Sequence, residues 1–294
     1  MSESKRLITF TKMQGAGNDY VYIDGAKNPI PAEEKTEIVR RLSDRHFGIG
    51  GDGVIFINPD PEADFEMEMY NADGSRAEMC GNGIRCVAKY VYDHHMTDKT
   101  KDLAISSFGV VRHLDLQVKD GQAVRIRVNM GQPVLNPEDI PMDIGKFARH
   151  SEVINLPIPV LDRNFHMTCV SMGNPHAVVF LSPDEKLEKF PIEKYGPVFE
   201  RHIYFPQRTN TEFVHVDSRG SVHMRVWERG TGETLACGTG CCATVVACVL
   251  NGLTDDEITV HVRGGDIICK WDRNMDTVFM TGPAETVFEG QVEI

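Results

Sequence analysis

Two short motifs in this 294-residue chain place a cysteine directly ahead of a Gly-Xaa-Gly turn: Met79-Cys80-Gly81-Asn82-Gly83 and Ala236-Cys237-Gly238-Thr239-Gly240. Each is followed by an apolar run with helical character, residues 84–93 and 241–250, so each cysteine stands at a helix start. The first N–H groups of a helix have no internal acceptor and favour negative charge. A thiol placed there is eased towards its thiolate near working pH. A substrate carboxylate can dock on the same N–H groups, and glycine lets it come close to the backbone. Two such thiols on opposite faces of one carbon could take a proton from one side and return one on the other. That is the acid/base requirement for inverting an amino-acid α-carbon, and the chemistry calls for neither a metal nor a carbonyl cofactor.

The elements that must position these groups come in duplicate. The two cysteines are 157 positions apart (237 − 80 = 157), about half the chain. At the same offset Met67-Glu68-Met69-Tyr70 falls on Met224-Arg225-Val226-Trp227, and Asn71 falls on Glu228. At an offset of 156 (174 − 18 = 156), Asn18 in Met-Gln-Gly-Ala-Gly-Asn-Asp falls on Asn174 in Met-Gly-Asn-Pro-His. Four landmarks at nearly one offset indicate an internal duplication. Two related halves about a pseudo-twofold axis would bring equivalent loops face to face, with two similar groups pointing at one ligand. Strand-like runs at residues 7–10, 53–57, 65–70, 124–128 and 223–227, few helices (33–42 besides the two above) and Asn251-Gly252 as a helix stop predict a mixed α+β fold. Proline-containing stretches at 133–141 and 155–159 lie near the expected junction.

Bulk composition sets the broad class. The chain is 41% hydrophobic and 25% charged with a net charge of −12, an ordinary globular balance without a general grip on nucleic acid or anionic lipid. Residues 1–10 lack a signal-peptide pattern, and the apolar run 243–250 is too short to span a bilayer, so a cytoplasmic, reducing location is expected. Eight cysteines are too few for a disulfide scaffold. Cys86, Cys169, Cys241, Cys242, Cys248 and Cys269 read as small buried packing residues. The absence of Cys-Xaa-Xaa-Cys and His-Xaa3-His pairs argues against structural zinc. The run Gly48-Ile49-Gly50-Gly51-Asp52-Gly53 lacks the spacing of a nucleotide loop and leads into a strand, so a tight turn is expected there. Glu228 and Arg229, at a strand end before the second cysteine loop, read equally as a solvated ion pair.

Residues 13–20, Asn71-Ala72-Asp73-Gly74-Ser75, residues 79–86, Gly173-Asn174-Pro175-His176 and residues 228–240 together resemble the diaminopimelate epimerase family, over essentially the whole chain. That resemblance implies interconversion of LL- and meso-diaminopimelate without pyridoxal phosphate or metal, in the route to lysine and peptidoglycan. It aligns Cys80 and Cys237 with the family's catalytic cysteines, described there as donor and acceptor respectively, with His176 and Glu228 assisting them. It assigns Gly81, Asn82, Gly238 and Thr239 to the backbone cradle of the reacting carboxylate. Asn18, Asn71, Asn174, Asn210, Glu228 and Arg229 would hold the substrate, chiefly its distal end. It implies two pseudo-symmetric halves, each a barrel-like sheet wrapped around a central helix. Residues 1–128 would carry Cys80, residues 129–280 would carry Cys237, and a C-terminal strand at 281–294 would return to the first half. The expected partner is the small-molecule substrate, with no nucleic acid and no membrane, and a homodimer is compatible with it. Some family members carry a glutamine where this chain has Gly53, so that contact is missing or otherwise supplied.

A racemase or isomerase of the same fold, a non-catalytic amino-acid-binding protein and a thiol-redox protein remain alternatives at this level. If the two thiols share one cleft, oxidant should couple them into a disulfide with reversible loss of activity. Alkylation and mass spectrometry of the oxidised, inactive protein test this, and two free thiols at Cys80 and Cys237 would contradict it.

Overall fold

The computed structural model describes residues 6–77, 79–143, 145 and 152–294, so the first five residues of the opening segment lie outside the described residues. The chain forms two compact units, Met1–Val128 with Gly282–Ile294, and Asn129–Thr281. The first unit runs β1 (Leu7–Gly15), β2 (Asn18–Asp24), α1 (Ala32–Ser43), β3 (Gly53–Asn58), β4 (Phe65–Asn71), β5 (Arg76–Ala77), α2 (Gly81–Asp93), β6 (Leu103–Ser107), β7 (Val110–Lys119) and β8 (Gln122–Gly131), whose last residues cross into the second unit. The second runs β9 (Leu156–Val160), β10 (Arg163–Ser171), β11 (Pro175–Phe180), α3 (Ile192–Glu200), β12 (Asn210–Ser218), β13 (Ser221–Glu228), β14 (Gly232–Thr234), α4 (Gly238–Leu250), β15 (Glu257–Val262), β16 (Gly265–Asp272) and β17 (Thr277–Gly282). The last strand, β18 (Glu285–Glu293), pairs antiparallel with β1 from Leu7↔Glu293 to Gln14↔Glu285.

The strand pairings show the duplication directly. In the first unit β18, β1 and β2 are antiparallel neighbours, β3 lies parallel to β2, β4 antiparallel to β3, and β6 parallel to β4. In the second unit β9, β10, β11, β12, β13 and β15 repeat that order with the same sense at every step. Both ladders end in antiparallel hairpins, β6–β7–β8 and β15–β16–β17. The two-domain α+β architecture expected from the sequence is therefore the one observed.

Each sheet curls about one helix. In α2 every residue from Gly81 to Val91 is buried, and the helix packs on β1, β2, β6 and β7. In α4 the buried residues run from Gly238 to Cys248 with only Thr239 partly open, and the neighbours are β10, β11, β12, β15 and β16. Two glycines in the first turn disfavour a helix by roughly 1 kcal/mol each relative to alanine, so burial within the sheet decides the matter. All six cysteines read as packing residues are buried. Arg85, fully buried on α2, donates to the carbonyls of Pro283 (3.1 Å) and Gly81 (3.2 Å) and to Asn82 Oδ1 (3.0 Å). These bonds fasten the returning C-terminal segment to the start of the helix.

Burial pushes the thiols of Cys86, Cys169 and Cys248 up, Cys86 to about 11 and Cys248 to about 12. In the unfolded chain they ionise near the ordinary value of 9.0. A group raised on folding contributes stability that is complete below its unfolded value and lost as pH climbs through its folded value. The melting temperature in reductant should therefore be steady to about pH 8 and fall progressively above about pH 9. Replacing Cys86 by alanine should blunt that alkaline fall, and an unchanged slope would contradict the assignment to thiols.

Candidate active site

The first cysteine is held by three elements. Cys80 is the N-cap of α2, with extended backbone (φ −132°, ψ 113°), and its sulfur accepts the Gly83 N–H at 3.3 Å. Asn18, first residue of β2, follows a turn in which Ala16 (φ 53°) and Gly17 (φ 82°) both take left-handed backbone. Its Nδ2 donates to Asp52 Oδ2 at 2.7 Å, which turns its Oδ1 towards Cys80, and the thiol donates to that oxygen at 3.1 Å. Asp52 is itself fixed by Arg45 (2.9 Å), which also pairs with Asp19 (2.6 Å), and Asp19 meets Lys12 (2.6 Å). Burial alone would raise the Asp19 carboxyl, but the bonds from Arg45 and Lys12 outweigh it and hold the group below the usual carboxylate range. The glycine-rich run before β3 thus forms a turn that delivers Asp52 to Asn18.

Asn71 closes β4, where its N–H donates to Ser75 O (2.9 Å) and its amide to Ser75 Oγ (3.1 Å). Gly81 and Asn82 supply first-turn N–H groups that have no acceptor inside the helix, and the Asn82 side chain is turned inward to Arg85. Gly53 pairs with Asn71, and a Cβ built on it would overlap the Tyr70 carbonyl oxygen and lie 2.8 Å from the Tyr20 ring. No side chain fits there without a backbone shift, which explains why glutamine is not an option at this position.

The second cysteine is the N-cap of α4 with nearly the same backbone (φ −122°, ψ 112°), but its surroundings differ. Cys237 makes no side-chain cap bond, and its sulfur lies 3.5 Å from Thr239 Oγ1. Beside it on β11 and β12, His176 Nδ1 meets Glu212 Oε1 at 2.7 Å, with both side chains fully buried. His176 Nε2 meets Asn174 Oδ1 at 3.0 Å. Ligand-type atoms of His176, Glu212 and Cys237 all lie within 4.8 Å of one another. Both imidazole nitrogens are already committed to hydrogen bonds, so this trio reads as proton chemistry in preference to a metal site.

Burial pushes the Cys237 thiol well above its ordinary value, and the charges of Glu228 and Glu212 push it further, against smaller opposing effects from Thr239 and Gly240. This corrects the expectation that a helix start eases both thiols towards the thiolate. At Cys237 desolvation and two carboxylates outweigh the helix end.

The remaining residues named from the sequence fall around this cluster. Glu228, at the end of β13, accepts the Thr234 hydroxyl. Asn210, at the start of β12, spends both amide atoms on backbone: Nδ2 donates to Pro175 O (3.1 Å) and Oδ1 accepts Arg229 N–H (2.9 Å). It stitches β12 to the Arg229 turn. The exposed Arg229 guanidinium donates to the Gln207 carbonyl at 3.3 Å. Gly238 and Thr239 open α4 with first-turn N–H groups, as Gly81 and Asn82 do in α2.

Sequence reasoning missed Asp52, Arg85 and Glu212. For Glu212 a signal existed: the 157-residue offset sets it against Ile55, a charged residue where the other half is apolar (212 − 55 = 157).

Duplicated sheets, each curled about a helix, define a class of fold also seen in solved structures. The Bacillus anthracis phenazine biosynthesis protein of the PhzF family aligns with a TM-score of 0.70 at 16% identity, over 98% of this chain and 100% of that one. A hydroxyproline epimerase from Agrobacterium vitis aligns at 0.66 and 14%, over 99% and 93%. The family is fixed by sequence. The diaminopimelate epimerase family model matches residues 10–136 and 168–287. A diaminopimelate epimerase of Agathobacter rectalis is 53% identical over 98% of this chain and 100% of its own length, and one of Acetivibrio thermocellus is 49% identical over 98% and 99%. The chain belongs to the diaminopimelate epimerase family and is an isomerase.

The half-exposed Cys80 and the buried, carboxylate-flanked Cys237 should differ in reactivity. With limiting iodoacetamide near neutral pH, peptide mapping should find Cys80 alkylated at least about tenfold faster than Cys237, since only the thiolate attacks. Equal rates would contradict the described electrostatics.

Proposed function

We infer that this chain epimerises LL- and meso-diaminopimelate at one α-carbon by a two-thiol mechanism, in the route to lysine and peptidoglycan precursors. The observation that carries the reading is that a member of this family places a cysteine at the start of each of two buried helices. The substrate's reacting carboxylate binds the first-turn N–H groups contributed by Gly81, Asn82, Gly238 and Thr239. Fixed donors there take up the charge that spreads into the carboxylate as the α-proton leaves. One sulfur, as thiolate, removes that proton. The other, as thiol, delivers its own to the opposite face, and the roles exchange when the reaction runs back.

In the free protein Cys80 gives its proton to Asn18 Oδ1 as a hydrogen bond, and burial with two carboxylates keeps Cys237 protonated. The backbone N–H on the Cys80 sulfur is one contact that would support its thiolate when it forms. Cys80 and Cys237 act as donor and acceptor in one direction, as the resemblance implies, and exchange those roles in the other. Asn18, Asn71, Asn174, Glu228 and Arg229 orient the distal end, where the exposed guanidinium suits a carboxylate. Asn210 acts through the Arg229 backbone it holds.

No helix among the described residues is long and apolar enough to cross a membrane, and we place the reaction in the cytoplasm. Assembly as a homodimer is part of this reading and is checked by sedimentation.

Incubating the protein with LL-diaminopimelate in heavy water, with α-hydrogen exchange and meso product followed by NMR, tests the reading. Exchange with product formation is expected, with epimerisation lost by at least about a thousandfold in both Cys80→Ala and Cys237→Ala. Binding without exchange in the parent protein would leave an amino-acid-binding protein.

A further inference from the structure

The duplication allows each residue of one half-site to be compared with its counterpart in the other. Parallel pairing sets Tyr20 against Gly53 and Tyr22 against Ile55 in the first unit, and His176 against Asn210 and Val178 against Glu212 in the second. The same register therefore makes Tyr20 the counterpart of His176 and Ile55 the counterpart of Glu212. Glycines confirm the match. A Cβ on Gly83 would lie 2.9 Å from Ile55 Cδ1, and a Cβ on Gly240 would lie 2.7 Å from Glu212 Oε1. Under one cysteine helix sits an aliphatic side chain, and under the other a carboxylate.

That carboxylate is fully buried, and its Oε2 has no hydrogen-bond partner among the described residues. A buried charge so poorly satisfied costs several kcal/mol unless an opposite charge stands beside it. Among the described residues, the basic side chain in this cluster is His176. Its two ring nitrogens face two oxygens, Glu212 Oε1 and Asn174 Oδ1, an arrangement that fits an imidazole donating from both. The groups that act on Cys237 are then Glu212 from β12, Glu228 from β13 and His176 from β11, with Cys169 of β10 reaching Glu212 from behind.

We propose that Glu212 is a positioning residue that holds His176 as a buried imidazolium beside Cys237, the positive charge against which the Cys237 thiolate forms once that thiol has given its proton away. The role of that thiol rests on the epimerase reading above, whereas the charge state of His176 does not. In the first unit the register counterparts of His176 and Glu212 are Tyr20 and Ile55, so no such pair stands there among the described residues. The Cys80 sulfur accepts the Gly83 N–H at the start of α2.

Nitrogen NMR of histidine-labelled, substrate-free protein reads the proposal directly. Near neutral pH both His176 ring nitrogens should carry protons, assigned by their loss in His176→Asn, and a bare nitrogen at either position would overturn the proposal. In Glu212→Gln one of the two nitrogens should be bare at the same pH. The alkaline limb of kcat/KM should move down by about one pH unit or more, because the imidazolium is no longer held. A doubly protonated His176 in that variant, or an unmoved limb, would also overturn it. Should Glu212→Gln fail to fold, Glu212→Ile installs the first unit's own residue at this place and is read the same way. A protein that shows the imidazolium yet exchanges no α-hydrogen would defeat the epimerase reading and leave the charge assignment standing.

Discussion

A helix that begins in a protein interior brings unanswered N–H groups with it, and both halves of this molecule are built to meet that constraint. The helices α2 and α4 are buried almost along their whole length, so their starts cannot turn to bulk water. Something must accept from them. At α2 part of the answer is internal, with the Cys80 sulfur on Gly83 N–H, and in the proposed function the substrate carboxylate supplies the rest. Glycines at these starts keep the room that the Ile55 and Glu212 side-chain tips use, since a Cβ on Gly83 or Gly240 would press on them. The curled sheets and the glycine motifs are two aspects of one packing problem.

Duplication supplies two solutions to that problem, and sequence drift has made them chemically unequal. The first half anchors its asparagine through Asp52 and a surface network of Arg45, Asp19 and Lys12. The second anchors its asparagine on a buried histidine backed by a buried carboxylate. The proposed two-thiol reaction begins with one group charged and the other neutral, and benefits from such inequality. Identical environments would leave the two protonation states equally populated, and half the molecules would face the substrate the wrong way round.

Much of this was legible before the fold was known. Periodicity located β4, α1, α2 and α4 within a few residues, because those segments carry their burial pattern locally. The motif spacing revealed the repeat, and the pairing order of the two sheets bears it out. The partners of the cysteines were less visible. Asp52 reaches Asn18 from 34 residues away, and Glu212 reaches His176 from 36. Such contacts are set by which strands lie parallel, and no local pattern encodes that. The sign of the effect on Cys237 was misread for the same reason: a helix start is visible in sequence, whereas the carboxylates packed against it are not. Asn210 also turned out to hold backbone, joining Pro175 and Arg229, a contact no local pattern showed.

The strand that closes the first sheet comes after the whole of the second unit in the chain. β18 pairs along the full length of β1, and Pro283 is gripped by Arg85 at the foot of α2. During translation the N-terminal half therefore waits, with the open edge of β1 and part of its core uncovered, until residues 285–293 have been made. The second half has every strand of its own ladder by residue 282. Vectorial synthesis thus reverses the apparent order of assembly. The unit made second is the first able to finish folding, and the earlier Cys80 half is completed only once β18 has been made. Truncation by a dozen residues, trivial in length, would strip the first half of its edge strand and leave the second half's ladder intact.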